Sequence, residues 1–186
     1  MSIEPPHLEI RRPWKPGQSL FLLGPGGVGK STLGRSLAEL LGWPLIDLDL
    51  VFCDEVGIIG LYIAAHGYDR YRAENLALAE RVAARTAAPF IFVTSSGFLA
   101  AAPGTADHNS ARQLIATEYS LTLLPSLNIE ASTEIVVARQ LTRGFGLQRQ
   151  TEEQKFRQRF EIYKSEGDAL LIGPADAKFV ADCMLC

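Results

Sequence analysis

The sequence predicts an α/β domain of the doubly wound, three-layer kind, with about five parallel strands. Two observations predict it. Short apolar runs that suit buried strands alternate along the chain with longer stretches of helical apolar spacing. One such strand–helix pair encloses residues 24–31, Gly-Pro-Gly-Gly-Val-Gly-Lys-Ser, which fit the pattern G-x-x-x-x-G-K-[ST]. The chain has 186 residues, of which 47% are hydrophobic, and this suffices for one domain with a sizeable core.

The N-terminal segment, residues 1–17, contains four prolines and two adjacent arginines. Prolines at this density predict an extended arm rather than a packed element. We therefore expect an arm over residues 1–17 and the domain over residues 18–186. The arm is interpreted as the remnant of a longer fusion, a lid on a partner subunit, or a segment without a role.

The first strand and helix of the domain are predicted at Ser19–Leu23 and Lys30–Leu41, with Gly42 as the stop. The glycines between them let successive backbone N–H groups turn onto a phosphate, and the positive end of the helix dipole lies beneath it. Lys30 supplies a charge for the outer phosphates, and the Ser31 hydroxyl can ligate Mg²⁺. The alternative is a glycine-rich surface turn.

The next strand, Pro44–Asp49, ends in two carboxylates. Ligands gather at the carboxyl ends of parallel strands. Because Asp47 and Asp49 lie two residues apart, they point to one face of a strand, toward the phosphate loop if the two strands are neighbours. Alternatively, both carboxylates cap a following helix at Leu50–Val56.

Two helices are then predicted, at Ile58–His66 and from Tyr68 to about Arg85. Arg72 lies in the first turn of the second helix, where the positive end of the helix dipole disfavours a cation. The Arg72 side chain is therefore interpreted either as a partner for an anionic ligand or a carboxylate, or as a solvated side chain. A central strand at Pro89–Thr94 runs into the small-residue turn 95–97, where backbone can approach a ligand closely.

The C-terminal half is predicted with a loop at Ala100–Ser110, a strand at Leu121–Leu124 and a helix at Thr133–Arg143. The glycine-containing, basic segment Gly144–Arg149 is a candidate mobile lid. A helix beginning near Thr151 follows, and further elements complete the alternation of strand and helix.

Arg159 lies on nearly the same side of that helix as Phe156 and Tyr163. An arginine there either packs its aliphatic part against the domain and keeps its guanidinium in water, or points its guanidinium into a cleft.

Composition narrows the classes of function. The net charge is −3, so the chain lacks the surplus of basic residues that is typical of nucleic-acid-binding proteins. Three scattered cysteines favour a reducing, cytoplasmic location over a disulfide framework, and the Cys183–Cys186 pair leaves redox or metal chemistry as an alternative. Neither a signal peptide nor a membrane span is expected, and we expect a monomer.

Four motifs resemble those of the shikimate kinases, small P-loop kinases of the nucleoside-monophosphate-kinase-like group. They are Gly24–Thr32, Leu45–Asp49, Gly67–Arg72 (similar to G-E-x-x-F-R) and Arg159–Tyr163 (similar to R-x-x-x-Y). The resemblance implies a P-loop NTPase fold and transfer of the ATP γ-phosphate to the 3-hydroxyl of shikimate, with Mg²⁺.

The resemblance also implies residue roles. Ser31 and Asp47 would hold Mg²⁺, Asp47 through water, while Lys30 and Asp49 would be catalytic, Asp49 binding the acceptor hydroxyl and accepting its proton. Arg72 and Arg159 would clamp the substrate carboxylate, and Gly97 would offer a backbone N–H. The ATP-binding residues would be Gly26, Gly27, Val28, Gly29, Lys30, Ser31, Thr32 and the lid residue Arg149.

The chain departs from the family pattern at several positions. Ser95-Ser96-Gly97 replaces three glycines, Tyr68 stands where a glutamate is usual, Asn75 replaces a second glutamate, and the lid sequence R-P-L-L is absent. The two serines either intrude where substrate meets backbone or add hydroxyl contacts. Two alternatives are therefore kept: a kinase of the same fold for another hydroxy acid or polyol, and a ligand- or nucleotide-sensing domain that has lost catalysis.

Overall fold

A six-stranded sheet forms the centre of the fold in a computed structural model, which describes residues 5–142, 147–174 and 176–184. The strands lie in the order β1-β6-β5-β2-β4-β3. All neighbouring pairs are parallel except β1 with β6, so the predicted set of about five parallel strands is confirmed. The strands are β1 His7–Ile10, β2 Leu20–Leu23, β3 Leu45–Asp47, β4 Ile91–Val93, β5 Tyr119–Leu124 and β6 Ala169–Ile172.

Helices cover both faces of the sheet, as the doubly wound class requires. One apolar cluster joins the sheet to α1 and α8, and another joins its other face to α2, α4, α5 and α7. The helices are α1 Lys30–Leu41, α2 Leu48–Glu55, α3 Ile59–His66, α4 Tyr68–Arg85, α5 Ala106–Ala116, α6 Ile129–Leu141, α7 Arg149–Lys164 and α8 Ala177–Met184.

The expectation that residues 1–17 form an unpacked arm is wrong for His7–Ile10, which pair antiparallel with β6. Beyond this strand, Arg12 donates to both carboxylate oxygens of Asp168 at 2.6 and 2.9 Å. Asp168 also accepts from the backbone N–H and the hydroxyl of Ser120. Proline density misled the prediction because the prolines flank this strand, and an edge strand needs partners on only one side.

The strand predicted at Pro44–Asp49 ends earlier than expected. It stops at Asp47, and helix α2 begins at Leu48, so Asp49 lies in the first helical turn. The carboxylates therefore do not share one face of a strand. Strand β4 also lies between β2 and β3, so these two strands are not neighbours.

Helix α5 occupies part of the segment predicted as a loop at Ala100–Ser110. The Thr105 hydroxyl accepts a hydrogen bond from the backbone N–H of His108, and Ala111 and Ile115 are buried against the sheet. The capping threonine follows the Pro103-Gly104 turn directly, so the turn is short and the helix starts sooner than predicted.

Among the described residues, no helix combines the length and the apolar character that crossing a bilayer requires.

Candidate active site

The phosphate loop connects β2 to α1 at the carboxyl edge of the sheet. Gly24 and Gly29 adopt φ angles of 139° and 103°, which side chains rarely permit. A Cβ at Gly24 would also lie 2.7 Å from the backbone oxygen of Leu123. Lys30 is buried, and its Nζ donates to the carbonyl oxygens of Gly24 and Pro25 at 2.7 and 2.9 Å. The ammonium group is thus held along the loop.

Asp47 and Ser31 lie on the same side of the sheet. Asp47 pairs in register with Val93, and Val93 pairs with Leu22. Gly34 of α1 contacts this row, because a Cβ there would lie 2.6 Å from Val93 Cγ2. Helix α1, which begins beside Ser31, therefore covers the face that carries Asp47.

These two oxygen donors fit a magnesium ion that is bound with a nucleotide. Mg²⁺ is commonly held by one or two carboxylates together with phosphates and water, rather than by an all-protein cage. The described residues contain no group of three or more His, Cys, Asp or Glu side chains arranged around one point.

Asp49 lines a cavity of about 430 Å³ that reaches the phosphate loop at Pro25 and Gly26. One part of its wall is apolar and aromatic, and another part is polar. The polar side chains are Asp49, Ser96, Gln140, Glu152, Lys155 and Arg159. The cavity therefore brings a carboxylate and a guanidinium together beside the loop.

Arg159, on α7, is held by two hydroxyl groups. Its Nη1 donates to Ser96 Oγ at 3.0 Å, and its Nη2 donates to Tyr68 Oη at 3.2 Å. Gly97 lies beneath this arrangement, because a Cβ at that position would collide with Tyr68 Oη. The structure thus brings together three predicted site residues, Asp49, Gly97 and Arg159, in the lining of one cavity.

Arg72 is not among the described residues that line this cavity. Its guanidinium lies 3.3 Å from an Asp69 carboxylate oxygen and 3.5 Å from one of Asp107. Asp107 belongs to helix α5, which the sequence did not predict. The joint clamp by Arg72 and Arg159 stays a prediction.

Arg149 is the first residue of α7, and its Nη1 lies 3.2 Å from Glu153 Oε1. It is not among the described residues that line this cavity or the larger one that meets the loop at Gly27. Residues 143–146, which include half of the lid predicted at Gly144–Arg149, lie outside the described residues, so the lid stays a prediction.

Tyr71 lines this cavity and forms a buried polar group with Asn75 and Ser95, which lie behind the lining. Asn75 Nδ2 donates to Ser95 Oγ at 2.8 Å, and Asn75 Oδ1 is buried without a hydrogen-bond partner among the described residues. Burial and, next, the negative charge of Asp49 raise the pKa of the Tyr71 hydroxyl. Tyr71 therefore stays protonated at neutral pH.

A second cavity, of about 1360 Å³, meets the phosphate loop at Gly27–Gly29 and Thr32. Arg139 and Pro174 also line it, and Arg139 Nη1 donates to the Gly27 carbonyl oxygen at 3.4 Å. Its volume exceeds what a small acid needs and suits a nucleotide.

Gln140 lies at the site but was not predicted from the sequence. A Cβ at Gly26 would lie 2.5 Å from Gln140 Nε2, so this amide sits against the loop on the side of the smaller cavity. No sequence signal distinguishes it from the other polar residues of α6, because its position depends on how the helix packs.

The sequence profile of the shikimate kinase family matches residues 26–168. A shikimate kinase of Halorhodospira halophila is 32% identical over 108 residues, and the pentafunctional AROM polypeptide of Malassezia globosa is 34% identical over 88 residues. These alignments cover 58% and 47% of this chain. The chain spans 59% of the Halorhodospira kinase and 5% of the Malassezia polypeptide.

Among solved structures, a shikimate kinase from Acinetobacter baumannii in complex with shikimate superposes with a TM-score of 0.69. The two chains are 23% identical, and the superposition covers 91% of this chain and 92% of that one. This likeness shows a shared P-loop kinase fold. Because the family profile extends over most of the sequence, the chain belongs to the shikimate kinase family.

Proposed function

We propose that the protein transfers the γ-phosphate of ATP to the 3-hydroxyl of shikimate. One observation carries this proposal: a carboxylate, Asp49, and a guanidinium, Arg159, line the cavity that opens onto the phosphate loop. A hydroxylated acid needs both groups, one for its hydroxyl and one for its carboxylate.

The donor side is assigned to the phosphate loop and the larger cavity. Backbone N–H groups of the loop and the N-terminus of α1 would bind the phosphates, with Lys30 beside them. Arg139 and Pro174 would flank the base in the larger cavity. Ser31 and Asp47 would hold Mg²⁺, which neutralises charge on the phosphates.

The acceptor side is assigned to the smaller cavity. Asp49 would orient the acceptor hydroxyl and take its proton as the hydroxyl oxygen bonds to the γ-phosphorus and the bond to the ADP oxygen breaks. Arg159 would bind the carboxylate, with the backbone N–H of Gly97 nearby. Arg72 would join it only by leaving Asp69 and Asp107. Catalysis then rests on positioning and charge, because phosphoryl transfer needs little covalent work from the protein.

The second candidate is a kinase of the same fold for another hydroxy acid or polyol. Ser96 and Tyr68 favour it, because both place side chains in the acceptor cavity where the family pattern has other residues. The sensor alternative is weakened by Lys30, Ser31, Asp47 and Asp49, which keep the groups that phosphoryl transfer needs.

A coupled ADP-release assay over a panel of hydroxylated acids and polyols tests the proposal. We expect turnover to rise sharply with shikimate. Stimulation by another compound but not by shikimate supports the second candidate, and ATP binding without stimulation by any acceptor supports the sensor.

A further inference from the structure

We propose that Tyr68 and Ser96 are positioning residues, whose hydroxyls hold the Arg159 guanidinium ready to receive the acceptor's carboxylate. This inference rests on the proposed function only in taking that carboxylate as the ligand of Arg159. It makes acceptor binding depend on two side chains that take no direct part in the phosphoryl transfer itself.

The three side chains come from separate elements that meet over the cavity. Tyr68 is the first residue of α4, Ser96 follows β4, and Arg159 lies on α7. Each terminal nitrogen of the guanidinium donates to one hydroxyl. An arginine has five N–H donors, so three are left for a ligand.

The hydroxyls orient Arg159 without neutralising it. No carboxylate of the described residues lies within 4.0 Å of its guanidinium, whereas Arg72 pairs with Asp69 and Asp107. Lys155, the other cation of this cavity, is 2.9 Å from Glu152. Arg159 is therefore the cation of the described lining whose charge is not offset by an ion pair within 4.0 Å.

The Tyr68 side chain is exposed, but its ring packs against Tyr71 on one side. Its centroid lies 5.8 Å from that of Tyr71, whose side chain is buried. The absence of a Cβ at Gly97 leaves room for the Tyr68 hydroxyl and the adjoining Nη2. A long flexible side chain loses conformational freedom when it binds a ligand, and holding it in advance reduces that loss.

The acceptor class follows from this arrangement. A carboxylic acid gains from an oriented, fully charged guanidinium, since charge-assisted bidentate pairing depends on its geometry. A neutral polyol gains little from it. The hydroxyls of Tyr68 and Ser96 should therefore affect acidic acceptors selectively.

Steady-state kinetics of Tyr68→Phe and Ser96→Ala test this, with shikimate and an analogue in which a hydroxymethyl group replaces its carboxylate. We expect the KM for shikimate to rise about ten-fold in each variant, with kcat largely kept and no change for the analogue. Ser96→Thr restores a hydroxyl and should restore the KM. Tyr62→Phe is the control, because its ring packs on Phe52 and His66 instead. Unchanged KM, or equal losses for both compounds, overturns the proposal.

A measurement without substrate separates this inference from the proposed function. In ¹⁵N–¹H spectra, the guanidinium of Arg159, assigned with Arg159→Lys, should rotate slowly in the wild type and faster in Tyr68→Phe and Ser96→Ala. Free rotation in the wild type overturns the positioning role even if the enzyme phosphorylates shikimate. Slow rotation that the variants release supports it even if no acceptor stimulates turnover.

Discussion

Arg139 and Gln140 are consecutive residues of α6, yet they line two different cavities, both of which reach the phosphate loop. Arg139 bonds to Gly27 on the side of the larger cavity, and Gln140 lies against Gly26 on the side of the smaller one. The loop thus borders both the larger cavity, which we propose for the phosphate donor, and the smaller one, which we propose for the acceptor, as direct phosphoryl transfer requires.

Two glycines of the loop should respond differently to alanine. Gly24→Ala forces φ of 139° on a residue with a Cβ and sets that Cβ against the Leu123 backbone, so we expect a loss of about 2–3 kcal/mol in the free energy of unfolding. In Gly26→Ala the added Cβ would collide with the movable end of Gln140 and make an ordinary contact with Ser96 Cβ at 3.5 Å, so this variant should lose far less stability. Urea denaturation of both variants checks this, and equal losses would contradict it.

Lys30→Met should lower kcat about 100-fold or more, because it removes a preorganised charge beside the phosphates. Its folding should survive, since methionine can fill the buried position. Coupled turnover and circular dichroism measure the two effects, with Lys15→Met, at an exposed position that lines neither cavity, as the control. A variant that is folded and fully active would exclude Lys30 from the reaction.

Gly97→Ala should weaken acceptor binding without affecting the nucleotide. The added methyl group displaces Tyr68 Oη and crowds Arg159 Nη2, so the KM for shikimate should rise several-fold while the KM for ATP is unchanged. Separate titrations of each substrate check this. A rise in both KM values would indicate general damage to the fold instead.

Asp107→Asn should strengthen acceptor binding, whereas Gly97→Ala should weaken it. It weakens the ion pair that holds Arg72 away from the cavity, so a clamp by Arg72 predicts a several-fold lower KM for shikimate. Arg72→Ala is the companion variant and should raise that KM. An unchanged KM in both variants would leave Arg159 as the carboxylate ligand without Arg72.

The contact of Arg12 with Asp168 should make stability depend on pH. Burial disfavours the charged form of Asp168, but hydrogen bonds from Arg12 and Ser120 outweigh it and hold the pKa of the carboxyl below its ordinary value. Because this pKa is lower in the folded state, the stabilisation is complete above the ordinary pKa of an aspartate and is lost as pH falls through the folded value.

Asp168→Asn should therefore lower the free energy of unfolding by about 1–3 kcal/mol at pH 7, and the difference from wild type should shrink at about pH 3. Urea denaturation at both pH values measures this. Asp182→Asn, which alters an exposed pair with Lys178, is the matched control and should have little effect at either pH. A difference of equal size at both pH values would contradict the linkage.

Sequence patterns correctly predicted those helices and strands that are determined by residues within a single segment. Helix Lys30–Leu41 has the predicted bounds, because a motif, an apolar period and Gly42 all act within one segment. The prediction misplaced Asp49 because it extended the alternation of side chains in a strand beyond Asp47, where the strand ends and helix α2 follows. Strand β1 was missed because its partner strand, β6, lies more than 150 residues away in the chain.

The same distinction applies to the site. The resemblance to the shikimate kinases implied substrate-binding roles for Asp49, Gly97 and Arg159, and these residues line one cavity. The contacts of Arg159 with Tyr68 and Ser96, and of Arg72 with Asp107, join separate elements through side-chain packing. Such contacts have no fixed spacing in sequence, so they could not be predicted from it.

The product formed from ATP and shikimate tests the central claim most directly. Phosphorus NMR of the reaction mixture should show a new phosphate ester on the 3-hydroxyl of shikimate. Asp49→Asn should form it at least about 100-fold more slowly with ATP binding intact. Formation of inorganic phosphate alone, or equal ester formation by Asp49→Asn, would contradict the assignment of this cavity as the acceptor site.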